Sequence, residues 1–143
     1  NLFDIVFNIK VAPDGVVYAA ILNRILRSAD GGTSWTSVFF ESSQPSDIEG
    51  MATDIAISTD GSKLYAALSG RSNDSDTAGV WQSTTGLFNS WSRIAGASFG
   101  AGSVPGWRTY NNSVSGGAYT GGWGRTVLAV APSNANILYV MYD

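Results

Sequence analysis

The chain has 143 residues, of which 44% are hydrophobic and 13% charged, and its formal net charge is −3. This composition argues against a disordered chain, which lacks apolar surface to bury, and the absence of a basic cluster argues against nucleic acid as a partner. There is no cysteine and no histidine, which excludes disulfides, thiolate and imidazole metal sites, and Ser-His-Asp or Cys-His catalysis. No apolar run approaches the ~20 residues of a membrane-spanning helix. Seventeen Gly and a 12% aromatic share point to β-structure with frequent turns.

In chain order, the first predicted strands are 5–12 and 16–22, joined by Asp14-Gly15, a turn dipeptide between apolar runs. Strands 25–28 and 35–40 follow, joined by Ser28-Ala29-Asp30-Gly31-Gly32-Thr33-Ser34-Trp35. The pattern then repeats. Val11-Ala12-Pro13-Asp14-Gly15-Val16-Val17-Tyr18 returns as Ile57-Ser58-Thr59-Asp60-Gly61-Ser62-Lys63-Leu64-Tyr65, within predicted strands 53–58 and 63–68. Strands 79–83 and 91–95 complete the second unit, with Ser83 and Trp91 matching Ser28 and Trp35. A third unit opens at 125–131 and 137–142, where Tyr139 matches Tyr18 and Tyr65. Four short strands in about 40–50 residues is the length of one propeller blade. The expected fold class is therefore all-β, with four-stranded antiparallel β-propeller blades forming part of a propeller. Blade one covers about 4–40, blade two about 53–95, an inserted loop 96–124, and the start of blade three 125–143. A β-sandwich is the structural alternative. Both chain ends read as cuts through a longer propeller, and two open sheet faces predict poor solubility or self-association.

The segment Ser28–Trp35 matches Ser-x-Asp-x-Gly-x-Thr/Ser-Trp at every defined position. It resembles the Asp-box, or BNR repeat, of sialidases, sortilin-type receptors and xyloglucan-cleaving propeller glycosidases. Arg125–Val140 is similar to the opening of a blade in the sortilin and xyloglucanase groups. The box residues Ser28, Asp30, Gly32, Ser34 and Trp35 are expected to be structural. Asp30 can accept hydrogen bonds from turn amides, the glycines permit positive φ, and the Trp35 ring can bury itself under the turn. The second copy keeps Trp91 but has Thr85 in place of the Asp and a turn one residue longer.

Strand parity puts Asp14, Asp30 and Asp60 on one face of the blades. The opposite face receives the crossing 41–52 with Asp47 and Glu49, the nearby Asp54, and the turn Ser69–Thr77 with Arg71, Asp74 and Asp76. It also receives the segment 96–124, which has nine Gly, no carboxylate, and Trp107, Tyr110, Tyr119 and Trp123. A loop of this length is usually functional or disordered. Its aromatics, with Arg71, are the candidate ligand-binding residues, by stacking on sugar rings; the plainer reading is that they anchor the loop. Asp74 and Asp76 are candidates for a hard cation such as Ca²⁺, against the plainer reading of a solvated polar turn.

Two functions fit. One is an extracellular binding module, secreted or at the cell surface as the resemblance implies, presenting loops to a glycan or protein and completed by the remaining blades of the same propeller. The other is a glycoside hydrolase, which needs two carboxylates across the scissile bond, roughly 5–9.5 Å apart. Its candidates are Asp47, Glu49, Asp54 and Asp143, the last following strand 137–142 as a xyloglucanase Asp follows a second strand of a blade. A sialidase resemblance would bring a Phe/Tyr-Arg-Ile-Pro motif, and none occurs.

Overall fold

A computed structural model describes residues 5–22, 24–39, 51–69, 79–95 and 125–142. The described residues form ten strands and no helix, so the fold is all-β as expected. The first four are β1 (Val6–Val11), β2 (Val17–Ile21), β3 (Arg24–Ser28) and β4 (Thr36–Phe39), paired in chain order in one antiparallel sheet. A second antiparallel sheet follows the same order with β5 (Met51–Ile57), β6 (Leu64–Ser69), β7 (Gly79–Ser83) and β8 (Ser92–Ala95). The third sheet is the antiparallel pair β9 (Thr126–Val130) and β10 (Leu138–Tyr142). No helix of the described residues is long and apolar enough to cross a membrane.

The β1–β2, β3–β4 and β5–β6 hairpins turn at Asp-Gly, and the β7–β8 and β9–β10 turns carry Asn89 and Asn134. Gly15, Gly61 and Gly31 take φ of +87°, +71° and +70°, which only Gly adopts without a Cβ penalty. The register of β1 on β2 shifts between Val6 and Asn8, and that of β5 on β6 between Ala52 and Asp54. The two shifts fall at equivalent places in the repeat, and each changes which side chains face the neighbouring sheet.

The sheets stack through apolar faces, and β5 touches both β1 and β9. Val16, Tyr18, Ala20, Ile25, Val38 and Phe39 of the first sheet pack on Ala52, Ile55, Leu64, Ala66 and Leu68 of the second. Phe39 meets the rings of Trp81 and Trp91 edge-on, with centroids 5.2 and 5.1 Å away. The opposite face of the second sheet, Ala56, Tyr65, Ala67 and Val80, packs on Leu128, Val130, Leu138 and Val140. Period-two alternation thus puts successive residues of β6 into two different interfaces. Fully burying an Ile such as Ile55 is worth about 1.5–3 kcal/mol.

The repeated tyrosine shows the stacking order. Tyr18 and Tyr65 are 3% and 2% exposed, whereas Tyr139 is 64% exposed. The Tyr65 hydroxyl donates to the Ala135 carbonyl in the turn of the third sheet at 2.7 Å. The Tyr18 hydroxyl lies against Gly86, in the β7–β8 turn of the second sheet. Each buried tyrosine therefore reaches a turn of the following sheet. Among the described residues no sheet lies over Tyr139, and its neighbour on the same face, Met141, is 68% exposed.

Candidate functional site

The Asp30 turn is a closed hydrogen-bond cluster. The Ser28 hydroxyl donates to Asp30 Oδ1 at 2.7 Å and accepts from Gly32 N–H at 2.8 Å. Ser34 donates its backbone N–H to Oδ1 at 2.9 Å and its hydroxyl to Oδ2 at 2.5 Å. Thr33 Oγ1 donates to the Asp30 carbonyl, and Trp35 Nε1 donates to the Gly32 carbonyl, both at 3.0 Å. Gly32 has φ +94°, which brings its carbonyl round to the indole. The indole ring packs on Ala19, Ile21 and Leu26. Donation from the Ser34 hydroxyl, then from the Ser34 N–H and the Ser28 hydroxyl, lowers the Asp30 pKa from 3.8 to about 2.

A second turn, which the sequence alone presents only as an Asp-Gly turn, has the same chemistry. The Ser58 hydroxyl donates to Asp60 Oδ1 at 2.6 Å and accepts from Lys63 N–H at 2.9 Å. The Ser62 N–H and hydroxyl also donate to Asp60, at 3.0 and 2.8 Å to Oδ1. The Ser58 hydroxyl, the Ser62 N–H and the Ser62 hydroxyl, in that order, lower this pKa from 3.8 to about 2. The Ser-x-Asp spacing shared by Ser28-x-Asp30 and Ser58-x-Asp60 was the available signal.

The third related turn has no carboxylate. Ser83 Oγ accepts from Thr85 N–H and Gly86 N–H at 3.1 and 2.8 Å and shares a hydrogen bond with Ser90 Oγ at 2.6 Å. Serine–serine contact replaces the serine–aspartate bridge. The turn is one residue longer, and the buried Trp91 Nε1 has no hydrogen-bond partner among the described residues. Its ring still packs on Phe39, so the apolar role survives where the polar one is lost.

Asp54 is the one described member of the candidate catalytic set. It lies in β5 and is 2% exposed. Its Oδ1 accepts from Ile55 N–H at 2.9 Å and from the Asn8 side-chain amide in β1, and its Oδ2 accepts from Leu128 N–H in β9 at 2.7 Å. The adjacent Thr53 hydroxyl donates to the Thr126 carbonyl at 3.1 Å. Thr126 C=O and Leu128 N–H flank Val127 and point to the same side of β9. Thr53 and Asp54 thus satisfy one C=O and one N–H of an edge strand from the neighbouring sheet. Strand parity predicts Asp54 beside the loops; with the register shift between Ala52 and Asp54, its carboxylate instead meets β1 and β9 of the other sheets.

A cleft of about 350 Å³ lies between the β5–β6 and β9–β10 turns, lined by Thr59, Asp60, Pro132, Ser133, Asn134 and Ala135. Its polar groups are largely engaged. Thr59 Oγ1 donates to the Pro132 carbonyl at 3.2 Å, and Asn134 Oδ1 accepts from Asn136 N–H at 2.9 Å.

Asp47, Glu49, Asp143, Arg71, Asp74, Asp76, Trp107, Tyr110, Tyr119 and Trp123 lie outside the described residues. Among the described residues, no three carboxylates gather into a metal-binding group. Comparison with protein-family models, with curated proteins and with solved structures gave no match.

Proposed function

We propose that the three sheets are consecutive blades of an extracellular Asp-box β-propeller that binds a carbohydrate or protein ligand. The observation that carries this reading is the Ser28–Asp30–Ser34–Trp35 cluster. All its polar groups are used to fold a turn and seat an indole, which is a scaffold's use of a carboxylate. The repeated stacking supports it. Tyr18 and Tyr65 each reach a turn of the following sheet, so Tyr139 and Met141 are the face that a further blade would cover. Ligand contact then falls to the segments opposite the Asp turns, where the sequence places Arg71, Trp107, Tyr110, Tyr119 and Trp123. A secreted or surface location goes with this reading.

The test is retention of the full-length protein on immobilised polysaccharides, with new reducing ends assayed in parallel. Retention without release is expected, and it should weaken when Trp107 and Trp123 are changed to Ala. Release of reducing ends that disappears in Asp47→Ala or Glu49→Ala would overturn a binding-only role in favour of glycoside hydrolysis. Absence of both retention and release would overturn glycan binding and leave a protein ligand, to be sought with the same variants.

A further inference from the structure

The chain contains three Asp-Gly pairs, Asp14–Gly15, Asp30–Gly31 and Asp60–Gly61. This dipeptide is chemically special. The Gly nitrogen has no neighbouring Cβ to shield it, so it can attack Cγ of the preceding Asp. A C–N bond forms, and the amide proton and the carboxyl hydroxyl leave together as water. The product is a five-membered succinimide. Water reopens the ring at either carbonyl and gives back aspartate or yields isoaspartate. Water is the only co-reactant, and nothing is oxidised or reduced.

We propose that Asp14–Gly15 is the position at which this protein converts aspartate to isoaspartate, and that serine donors protect Asp30 and Asp60 from the same reaction.

The β1–β2 and β5–β6 turns form a near-matched pair. Gly15 N–H donates to the Ala12 carbonyl and Gly61 N–H to the Ser58 carbonyl, each at 2.9 Å. Both glycines have positive φ, +87° and +71°. In both, the carboxylate accepts the N–H two residues on, from Val16 at 3.1 Å and from Ser62 at 3.0 Å. The attacking nitrogens are therefore held alike, and the difference lies at the carboxylates. Asp60 also accepts the hydroxyls of Ser58 and Ser62. The first turn has Ala12 and Val16 flanking its Asp-Gly pair, and neither carries a hydroxyl. Asp30 is held by Ser28 and twice by Ser34.

To react, the carboxyl group must rotate toward the Gly nitrogen. For Asp30 and Asp60 that rotation breaks several short hydrogen bonds. For Asp14 it breaks the bond from Val16 N–H, the one its carboxylate accepts among the described residues. The donors at Asp30 and Asp60 also hold those groups ionised, and the ionised form is the poorer electrophile because it has no hydroxyl to lose. Asp14 and Gly15 are both exposed. The altered linkage adds a backbone methylene in a turn where Pro13 faces Gly61 of the second sheet, so it loosens a junction between sheets.

The test is to hold the purified protein at physiological temperature and neutral pH for weeks, digest it under mildly acidic conditions, and label isoaspartyl peptides with an isoaspartyl methyltransferase and radiolabelled S-adenosylmethionine. Label should accumulate in the Asp14 peptide at least about tenfold faster than in the Asp30 or Asp60 peptides, the factor expected when the net worth of two hydroxyl hydrogen bonds is missing from the barrier. Equal or faster labelling at Asp30 or Asp60, or none at Asp14, would overturn the assignment. A Ser62→Ala variant should raise the rate at Asp60 toward that at Asp14. An unchanged Asp60 rate would overturn the protective role of the hydroxyls.

Discussion

The Asp54 carboxylate accepts the Leu128 backbone N–H at 2.7 Å, across 74 residues of sequence. The same carboxylate accepts the Asn8 side-chain amide, so one buried group ties together strands of all three sheets. An edge strand otherwise leaves N–H and C=O groups unpaired, and burying such groups without partners is costly. Side-chain contacts from Thr53 and Asp54 take the place that a neighbouring strand would fill.

Asp54→Ala should be among the most destabilising single changes. It leaves Ile55 N–H, Leu128 N–H and the Asn8 amide without their acceptor, at about 1–3 kcal/mol for each donor that stays buried. A loss of about 3 kcal/mol or more is expected in denaturant unfolding. A shift below about 0.5 kcal/mol, the usual surface value, would contradict the tie between sheets.

The Asp30 and Asp60 turns should make the protein acid-sensitive in a defined window. Their folded pKa values, about 2, lie below the ordinary 3.8. Well above pH 4 both groups are ionised whether the chain is folded or not, and their stabilisation is fully present. As pH falls from about 4 to about 2 the unfolded chain takes up protons that the folded turns resist, so stability falls. Thermal melts across this range should show a shallower decline in an Asp30→Asn, Asp60→Asn double variant than in the natural protein. Parallel declines would assign the acid sensitivity elsewhere.

Two glycines separate backbone strain from packing. A Cβ on Gly15 meets nothing within 4 Å, so Gly15→Ala carries only the left-handed backbone penalty, about 1–2 kcal/mol. A Cβ on Gly86 lies 2.8 Å from Tyr18 Cζ and closer still to its hydroxyl. Gly86→Ala adds an overpacking cost of about 1–3 kcal/mol to a similar strain. Unfolding experiments should rank Gly86→Ala well below Gly15→Ala in stability, and equal effects would mean that Tyr18 moves aside at little cost.

The repeated tyrosines predict a graded series. Tyr65→Phe removes the hydroxyl that donates to Ala135 and should cost about 1 kcal/mol. Tyr139→Phe in this 143-residue chain should be neutral within about 0.5 kcal/mol, because the ring is 64% exposed. Burial also pushes the Tyr65 phenol pKa up. Tyr65 should therefore ionise above the ordinary phenol pKa of 10.0 in an alkaline absorbance titration. Early ionisation of Tyr65 would contradict its burial.

Much of the strand order was legible because alternation and Asp-Gly turns are local signals. Ser83 and Trp91 matched Ser28 and Trp35 in sequence, and both turns are built around the serine hydroxyl even though the second lacks the Asp. The role of Asp54 was not legible. It depends on a one-residue shift between Ala52 and Asp54, which strand parity cannot anticipate, and on a partner that nothing in the local sequence announces. The Asp60 clamp was legible in principle, but its downstream hydroxyl comes from Ser62, two residues on, rather than four as in the Ser34 pattern. The functional candidates other than Asp54 and Asp143 sit in Gly- and Ser-rich segments, where periodicity gives no register to argue from.

The most direct test of the central claim, that these sheets are successive blades of a propeller, is an experimental structure of the full-length protein. A ring of four-stranded sheets is expected, with Tyr139 buried beneath a turn of the next sheet as Tyr18 and Tyr65 are buried here. A structure in which Tyr139 faces solvent and no sheet follows β10 would contradict it.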